Sequence, residues 1–305
     1  GLAERYVREW LACMVTGRIV SYDAATETYH LPPEHAAILT RDAALGNFAV
    51  PARFLTEMGA VAETVVDCFR TGRGTCYHDY PCFHDVMAED SGQTVVTQPF
   101  DTLLPLAPGL TERLDGGIDV LDAGCGRGLA LLAMAERFPT SRFLGIDLCA
   151  EVVAFARQQA AARGLTNVTF PAADLSQYAA EAAFDLVTSF DAVHDQQDPA
   201  GLIRTLHRAL RPAGLYFMQD IGGTATPANK IHFPPAPPPS ALSPLHCTPV
   251  SIGQGGPGLG TMWGWETAEA YLTQAGFAPV TRHLLPHDPM NVWFVAQKPL
   301  PDAAR

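Results

Sequence analysis

The run Val120-Leu121-Asp122-Ala123-Gly124-Cys125-Gly126-Arg127-Gly128 places three glycines at alternate positions after a short apolar stretch. Gly124 and Gly126 let the backbone turn sharply and approach a ligand closely. At the carboxyl end of a strand and the start of a helix, such a turn is a ligand seat. By itself it would suit a dinucleotide as well as other ligands. The later acids narrow the chemistry. Asp147 ends the segment Phe143-Leu144-Gly145-Ile146-Asp147, 23 residues after Gly124. An acid there accepts hydrogen bonds from ribose hydroxyls. Asp174-Leu175 follows a third apolar segment, where an acid can take a base amino group, and Phe190-Asp191 follows a fourth.

Metal chemistry has one candidate string. Cys76, His78, Cys82 and His84 form a C-x-H-x3-C-x-H pattern. Zinc sites use these donors, but their usual spacing is C-x2-4-C with a second pair further on. The string reads instead as a loop with buried thiols and surface imidazoles, and no metal is assigned. The seven cysteines are odd in number and no signal peptide is visible, so the thiols are expected to be reduced in a cytoplasm.

The elements that must position these residues follow from periodicity. Residues 100–221 alternate strands (118–121, 143–146, 168–170, 184–188, 215–218) with helices (129–138, 150–163, 202–210). That rhythm implies a parallel, doubly wound sheet with right-handed crossovers. A helix over 266–275 and two strands, 280–284 and 292–297, close it as an antiparallel edge hairpin. The fold class is thus α/β: a Rossmann-like seven-stranded sheet. Between Gly222 and Gly264 lie nine prolines, and Gly253 to Gly260 holds five glycines. A segment of that length without periodicity reads as a functional loop, here a lid over 222–264.

Before the sheet, Leu2, Tyr6, Trp10, Leu11 and Met14 repeat at helical spacing, and 19–22 and 29–31 flank a turn at 23–26. Helix plus hairpin matches the last helix and wing of a winged helix. Its earlier helices would precede Gly1, so the chain is expected to be truncated there. Two further helices are expected over 36–70. The expected domains are 1–95, a mainly helical winged-helix-like dimerisation and cap domain, and 96–305.

Charge limits the partners. Lys plus Arg number 20 against 32 Asp plus Glu, a net of −12, and the only lysines are Lys230 and Lys298. The first hundred residues hold seven Arg and thirteen acids, a net of −6. A sequence-independent grip on nucleic acid needs a basic footprint, so neither nucleic acid nor an anionic membrane is an expected partner. No apolar run approaches the roughly 18 residues a spanning helix needs.

The layout over about residues 95–300 resembles the class I S-adenosylmethionine-dependent methyltransferases. Their acidic-x-Gly-x-Gly-x-Gly motif is matched by Asp122, Gly124, Gly126 and Gly128. The segment Arg211-Pro212-Ala213-Gly214 and the closing hairpin are similar too. The helix–wing start, the stretch ending His194-Asp195 and the segment around Trp263 resemble bacterial members with a winged-helix amino-terminal part. The resemblance implies S-adenosylmethionine as cofactor. It implies that Gly124, Cys125 and Gly126 hold the methionine moiety, with Asp122 in the same motif. Asp147 would bind the ribose, Leu148 would lie against the adenine, Asp174 and Leu175 would contact its edge, and Phe190 would close the methionine end. A homodimer through the amino-terminal part is implied as well.

Transfer from a sulfonium is an in-line displacement, for which the protein supplies alignment and enclosure. A hydroxyl acceptor needs a general base, and His194, four residues after Phe190, is the expected one, oriented by Asp195 or Asp191. His232, His246 and His283 are rivals, and the role of a helix cap or cofactor contact stays open for His194. Trp263, Trp265 and Phe233 would line an apolar acceptor pocket, with Tyr77 and Tyr80 reaching it from the other side. The expected activity is methylation of a small molecule, O-directed by preference. The alternatives are an S-adenosylmethionine-sensing winged-helix regulator without catalysis, and a thiol or protein methyltransferase.

Overall fold

The computed structural model describes residues 1–41, 43, 46–96 and 102–301. The chain divides into two compact units, Gly1–Arg53 and Phe54–Arg305. In the first, α1 (Glu4–Thr16) is followed by the hairpin β1 (Ser21–Asp23) and β2 (Thr28–His30). Tyr22 and Tyr29 pair across it, their rings 4.9 Å apart. α2 (Pro33–Leu39) starts on a proline, whose missing N–H costs nothing in a first turn. Its His35 Nδ1 lies 2.7 Å from the Ile19 carbonyl. Leu2, Tyr6 and Trp10 share one face of the start of the chain and are exposed.

The second unit opens with α3 (Phe54–Thr71), which buries Met58, Val61 and Val65. Next come a 3₁₀ turn at Tyr77–Asp79, α4 (Phe83–Ser91) and a π turn over Gly92–Val96. The expected domain boundary lies near residue 95, whereas residues 54–96 fall in the same compact unit as the sheet.

After α5 (Leu110–Gly116) the strands and helices alternate as β3 (Asp119–Ala123), α6 (Leu129–Arg137), β4 (Arg142–Ile146), α7 (Ala150–Ala162), β5 (Val168–Thr169), β6 (Phe184–Phe190), α8 (Pro199–Ala209) and β7 (Leu210–Ile221). The sheet order is β5-β4-β3-β6-β7-β9-β8, with β8 (Val280–Leu285) and β9 (Asp288–Gln297). β9 runs antiparallel to both β7 and β8, and the other pairs are parallel. The order reverses between β4 and β6 on either side of β3, so the carboxyl end of β3 is the switch point where such sheets bind ligands.

Local chemistry explains the elements. Strands β3 and β6 are buried on successive residues because helices cover both faces of a parallel sheet. α8 begins at the Asp198 cap, which accepts from Gly201 N–H at 2.8 Å, with Pro199 next. Leu202, Ile203 and Leu206 on its inner face are buried. β7 starts at Leu210, five residues earlier than its apolar run, because Leu210 already pairs with Phe184 ahead of a register shift.

The 222–264 segment corrects the sequence reading of a loop without structure. It forms α9 (Pro227–Lys230), α10 (Pro237–Leu242), a 3₁₀ turn at Ser243–Leu245 and α11 (Cys247–Gly253). Prolines sit in first turns, where they support short helices, and this hid them from a periodicity search. α11 is docked: Val250 is fully buried with Met58, Val61, Tyr80 and Phe83. The Thr75 N–H bonds to the Pro249 carbonyl at 2.9 Å, and Tyr80 Oη donates to the Leu245 carbonyl at 2.8 Å. α12 (Trp265–Gln274) then returns the chain to the sheet.

Candidate active site

The carboxyl end of β3 is built by glycine. Gly124 has φ +77°, and a Cβ there would stand 2.5 Å from the Ala192 Cβ. Gly128 has φ +69°, and a Cβ would come 2.5 Å from the Phe170 ring. Side chains at these positions would be both strained and blocked. The N–H groups of Gly124 and Cys125 bond to the Ile146 carbonyl at 2.8 and 3.0 Å, stitching the turn to the end of β4.

A cleft of about 140 Å³, partly open to solvent, lies over this turn. All nine residues expected to hold the cofactor are in its wall: Asp122, Gly124, Cys125, Gly126, Asp147, Leu148, Asp174, Leu175 and Phe190. Asp147 accepts from Gly126 N–H at 2.8 Å through Oδ2 and from Cys149 N–H at 2.9 Å through Oδ1. Backbone on both sides therefore fixes the carboxylate, and each oxygen keeps a lone pair for a further donor. Asp174 Oδ1 takes the Ser176 N–H at 2.8 Å, which holds the turn carrying buried Leu175. Leu148 is half exposed at the mouth, and Phe190 tilts against Trp293.

Asp122 is buried and accepts from Thr188 Oγ1 at 2.7 Å. Burial outweighs that bond and raises its carboxyl to about 7. Asp191 adopts φ +50° and accepts from Gln219 Nε2 at 3.0 Å. Burial, then the neighbouring Asp220, push its carboxyl well above the usual range.

The far wall was not foreseen. Tyr77, Phe83, His84, Met87 and Val95, from the 3₁₀ turn, α4 and the π turn, roof the cleft. Phe83 and Met87 stand four residues apart on one helix face, a spacing that was legible but had no sheet to attach it to. Arg127 Nη1 reaches Asp85 of α4 at 2.5 Å, tying the glycine turn to this roof, and its guanidinium lies 4.6 Å from the Phe155 ring. Burial lowers the His84 imidazole below its ordinary value.

His194, the base expected from the sequence, follows β6 behind the cleft. It is 3% exposed and is not in the cleft wall. Nδ1 lies 2.7 Å from Asp220 Oδ1 and Nε2 3.0 Å from Asp195 Oδ1. Burial disfavours the imidazolium, but Asp220 and Asp195 outweigh it and raise His194 well above its usual value. Its orienting acids are Asp195, as expected, and Asp220, which the sequence reading missed although a Gln219-Asp220 pair ending a buried strand was a signal. Asp191 bonds Gln219 instead. Asp195 does line the cleft, and its Oδ2 accepts from Tyr77 Oη at 3.2 Å. Gln254 Nε2 donates to the Asp195 carbonyl at 2.9 Å, so the end of α11 steadies the same loop.

The expected lid aromatics do not line the cleft. Trp263 is buried in the core beside Tyr271, and Phe233 meets Trp265 edge to face. Tyr77 reaches the cleft as expected, whereas Tyr80 packs on His246 at 4.6 Å beneath it. Among the rival histidines, His246 is buried and stacks on Phe83 at 3.9 Å, and His283 contacts Thr281. The donors of Cys76, His78, Cys82 and His84 do not converge on a common point.

A family profile described as a methyltransferase domain matches residues 114–234, which carry the glycine turn, Asp147, Asp174 and β6. Residues 114–234 thus carry a methyltransferase domain of the class I S-adenosylmethionine-dependent type. A second profile, an Rv2258c-like winged HTH domain, matches residues 1–41. A ubiquinone biosynthesis O-methyltransferase of Leptothrix cholodnii is 33% identical over 129 residues, covering 41% of this chain and 54% of its own. A nocamycin O-methyltransferase of Saccharothrix syringae is 36% identical over 149 residues, 46% of this chain and 48% of its own. The chain thus spans about half the length of these curated relatives. An O-methyltransferase family protein from Burkholderia thailandensis has the same fold, with a TM-score of 0.68 at 15% identity over 99% of this chain and 86% of its own.

S-adenosylmethionine is the cofactor of this class, and the cleft fits it. The glycine turn offers a wall without side chains, Asp147 offers ribose acceptors, and five acids (Asp122, Asp147, Asp174, Asp191 and Asp195) face a ligand bearing sulfonium and ammonium charges.

Proposed function

We propose that this chain methylates a small molecule, at oxygen by preference, by in-line transfer from S-adenosylmethionine. The observation that carries the reading is the roofed cleft. The nine cofactor residues form its floor, and Tyr77 and Asp195 stand together in its wall. The cofactor supplies an activated methyl, so the chain's tasks are alignment, exclusion of water and handling of the acceptor proton. Asp147 and Asp174 align the adenosyl end, and Phe190 limits the methionine end. The α4 roof, with Phe83 and Met87, excludes water. Its apolar face and the small cleft volume favour a small acceptor over a protein side chain on a folded surface.

His194 acts with Asp195 on the acceptor. Because both its ring nitrogens face carboxylates, it is a positioning residue that sets the charge and orientation of Asp195, which reaches the cleft. A homodimer through the amino-terminal unit and a cytoplasmic location complete the reading. The exposed Leu2, Tyr6 and Trp10 face supports the dimer.

Calorimetry with S-adenosylhomocysteine tests the cofactor assignment. Asp147→Ala is expected to weaken binding at least tenfold, about 1.4 kcal/mol or more. Binding of NAD with no heat from the adenosyl ligand would overturn the reading. His194→Ala is expected to lower kcat by roughly 10²–10⁴ with cofactor affinity held within a few-fold. Lost cofactor affinity in that variant would place His194 with the cofactor instead.

A further inference from the structure

We infer that His194, Asp195 and Cys247 form a binding site for one divalent cation of the zinc class at the wall of the cleft. Their ligand atoms, one imidazole nitrogen, one carboxylate oxygen and one thiol sulfur, lie within 4.8 Å of one another, and all three residues are buried. No other such group occurs among the described residues. Nitrogen, oxygen and sulfur together are the donor set that zinc prefers.

Two independent features point to a ligand there. Asp195 is 3% exposed, and its Oδ1 faces His194 Nε2 at 3.0 Å with no other donor reaching it. Tetrahedral bonds of about 2.0–2.2 Å to a shared ion place nitrogen and oxygen ligands about 3.3–3.6 Å apart, so the pair would open by a few tenths of an ångström to admit one. The second feature lies behind the imidazole. Asp220 Oδ1 holds Nδ1 at 2.7 Å, so Nε2 stays oriented toward Asp195 and can ligate an ion that displaces its proton. A carboxylate behind a ligating histidine fixes its tautomer and raises its basicity, as in metal sites generally. Cys247 has a matching support, since Thr261 Oγ1 donates to its Sγ at 3.1 Å.

The charge arithmetic agrees. Ionised Asp195 and a Cys247 thiolate would balance a divalent ion, and an uncompensated buried acid is costly. The site also joins two parts of the fold, because Cys247 opens α11 and His194 and Asp195 follow β6. Three protein ligands leave a fourth tetrahedral position, and Asp195 is itself a wall of the cleft. An acceptor hydroxyl or thiol held there would lose its proton more easily. That role rests on the methyltransferase reading; the ion site does not.

Cobalt(II) is the probe, added to the metal-free full chain. We expect one equivalent to bind with the visible bands of a four-coordinate ion and a thiolate-to-metal band, both removed by zinc. Cys247→Ser should abolish the thiolate band and weaken binding at least tenfold, and His194→Gln should weaken it similarly. A variant with both Cys76→Ser and Cys82→Ser should bind as the wild type does. No cobalt spectrum in the wild-type chain would overturn the site and leave a proton between His194 and Asp195. A spectrum that survives Cys247→Ser would overturn it equally. Failure of S-adenosylhomocysteine to bind would sink the methyltransferase reading alone, so the two outcomes are separable.

Discussion

Asp122 shows how much of this cleft is decided by single groups. Burial raises its carboxyl to about 7, against about 3.9 in an unfolded chain. The native state therefore binds this proton more tightly, and the group's contribution to stability falls as pH rises from about 4 to 7. A cationic ligand in the cleft favours the carboxylate. S-adenosylmethionine, whose sulfonium gives it a net positive charge, should thus bind more tightly from pH 6 to pH 8, with proton release near neutrality. Calorimetry in two buffers of different ionisation enthalpy would measure the release, and Asp122→Asn should flatten the pH dependence. A slope unchanged in that variant would assign the proton elsewhere. At this scale the sequence was legible wherever a residue follows a strand. Asp122, Asp147, Asp174 and Phe190 sit at strand ends, and strand ends converge on one edge of a parallel sheet. The burial of His194 was not legible, because it depends on Asp220 and Cys247, from two segments the pattern could not bring to it.

Among the elements, the glycine turn and α11 carry the sharpest expectations. Gly124→Ala adds strain at φ +77° and a clash with Ala192, and should cost about 1–3 kcal/mol in denaturant unfolding. Adding Ala192→Gly removes the clash but not the strain, so the pair should recover only part of the loss. Full recovery would mean that the backbone conformation there is not strained. Gly253 in α11 has no room for a Cβ, which would stand 1.9 Å from the Thr75 carbonyl oxygen. Gly253→Ala should speed hydrogen exchange around Thr75 and through α11 together, while β3 and β6 keep their protection. Strands and long helices were readable because period and length agree in them. α9, α10 and α11 were not, since four to seven residues rich in proline carry too few turns to show a period, and tertiary contacts such as Val250 against α3 stabilise α11.

The whole molecule adds two constraints. Residues 1–53 hold five Arg and no Lys against six acids, so the winged-helix-like unit lacks the basic footprint a DNA reader needs, and its exposed apolar face is the feature left to explain. Trp10→Lys should convert a dimer to a monomer in light scattering at micromolar concentration, whereas a wild-type monomer would remove the homodimer from the proposal. The split at residue 53 rather than 95 was beyond sequence reading, because what draws residues 54–96 to the sheet unit is contact with segments more than a hundred residues away. Tyr77 meets Asp195 across 118 positions and Tyr80 meets Leu245 across 165. That separation has a consequence during synthesis. At roughly 5–20 residues per second, the roof emerges from the ribosome on the order of ten seconds before α11 does. For that interval Met58, Val61, Val65 and Phe83 have no Val250 to cover them. The nascent chain therefore presents a sticky amphipathic surface until its last third appears, which makes it a client for chaperones and makes fragments ending before residue 245 prone to aggregate.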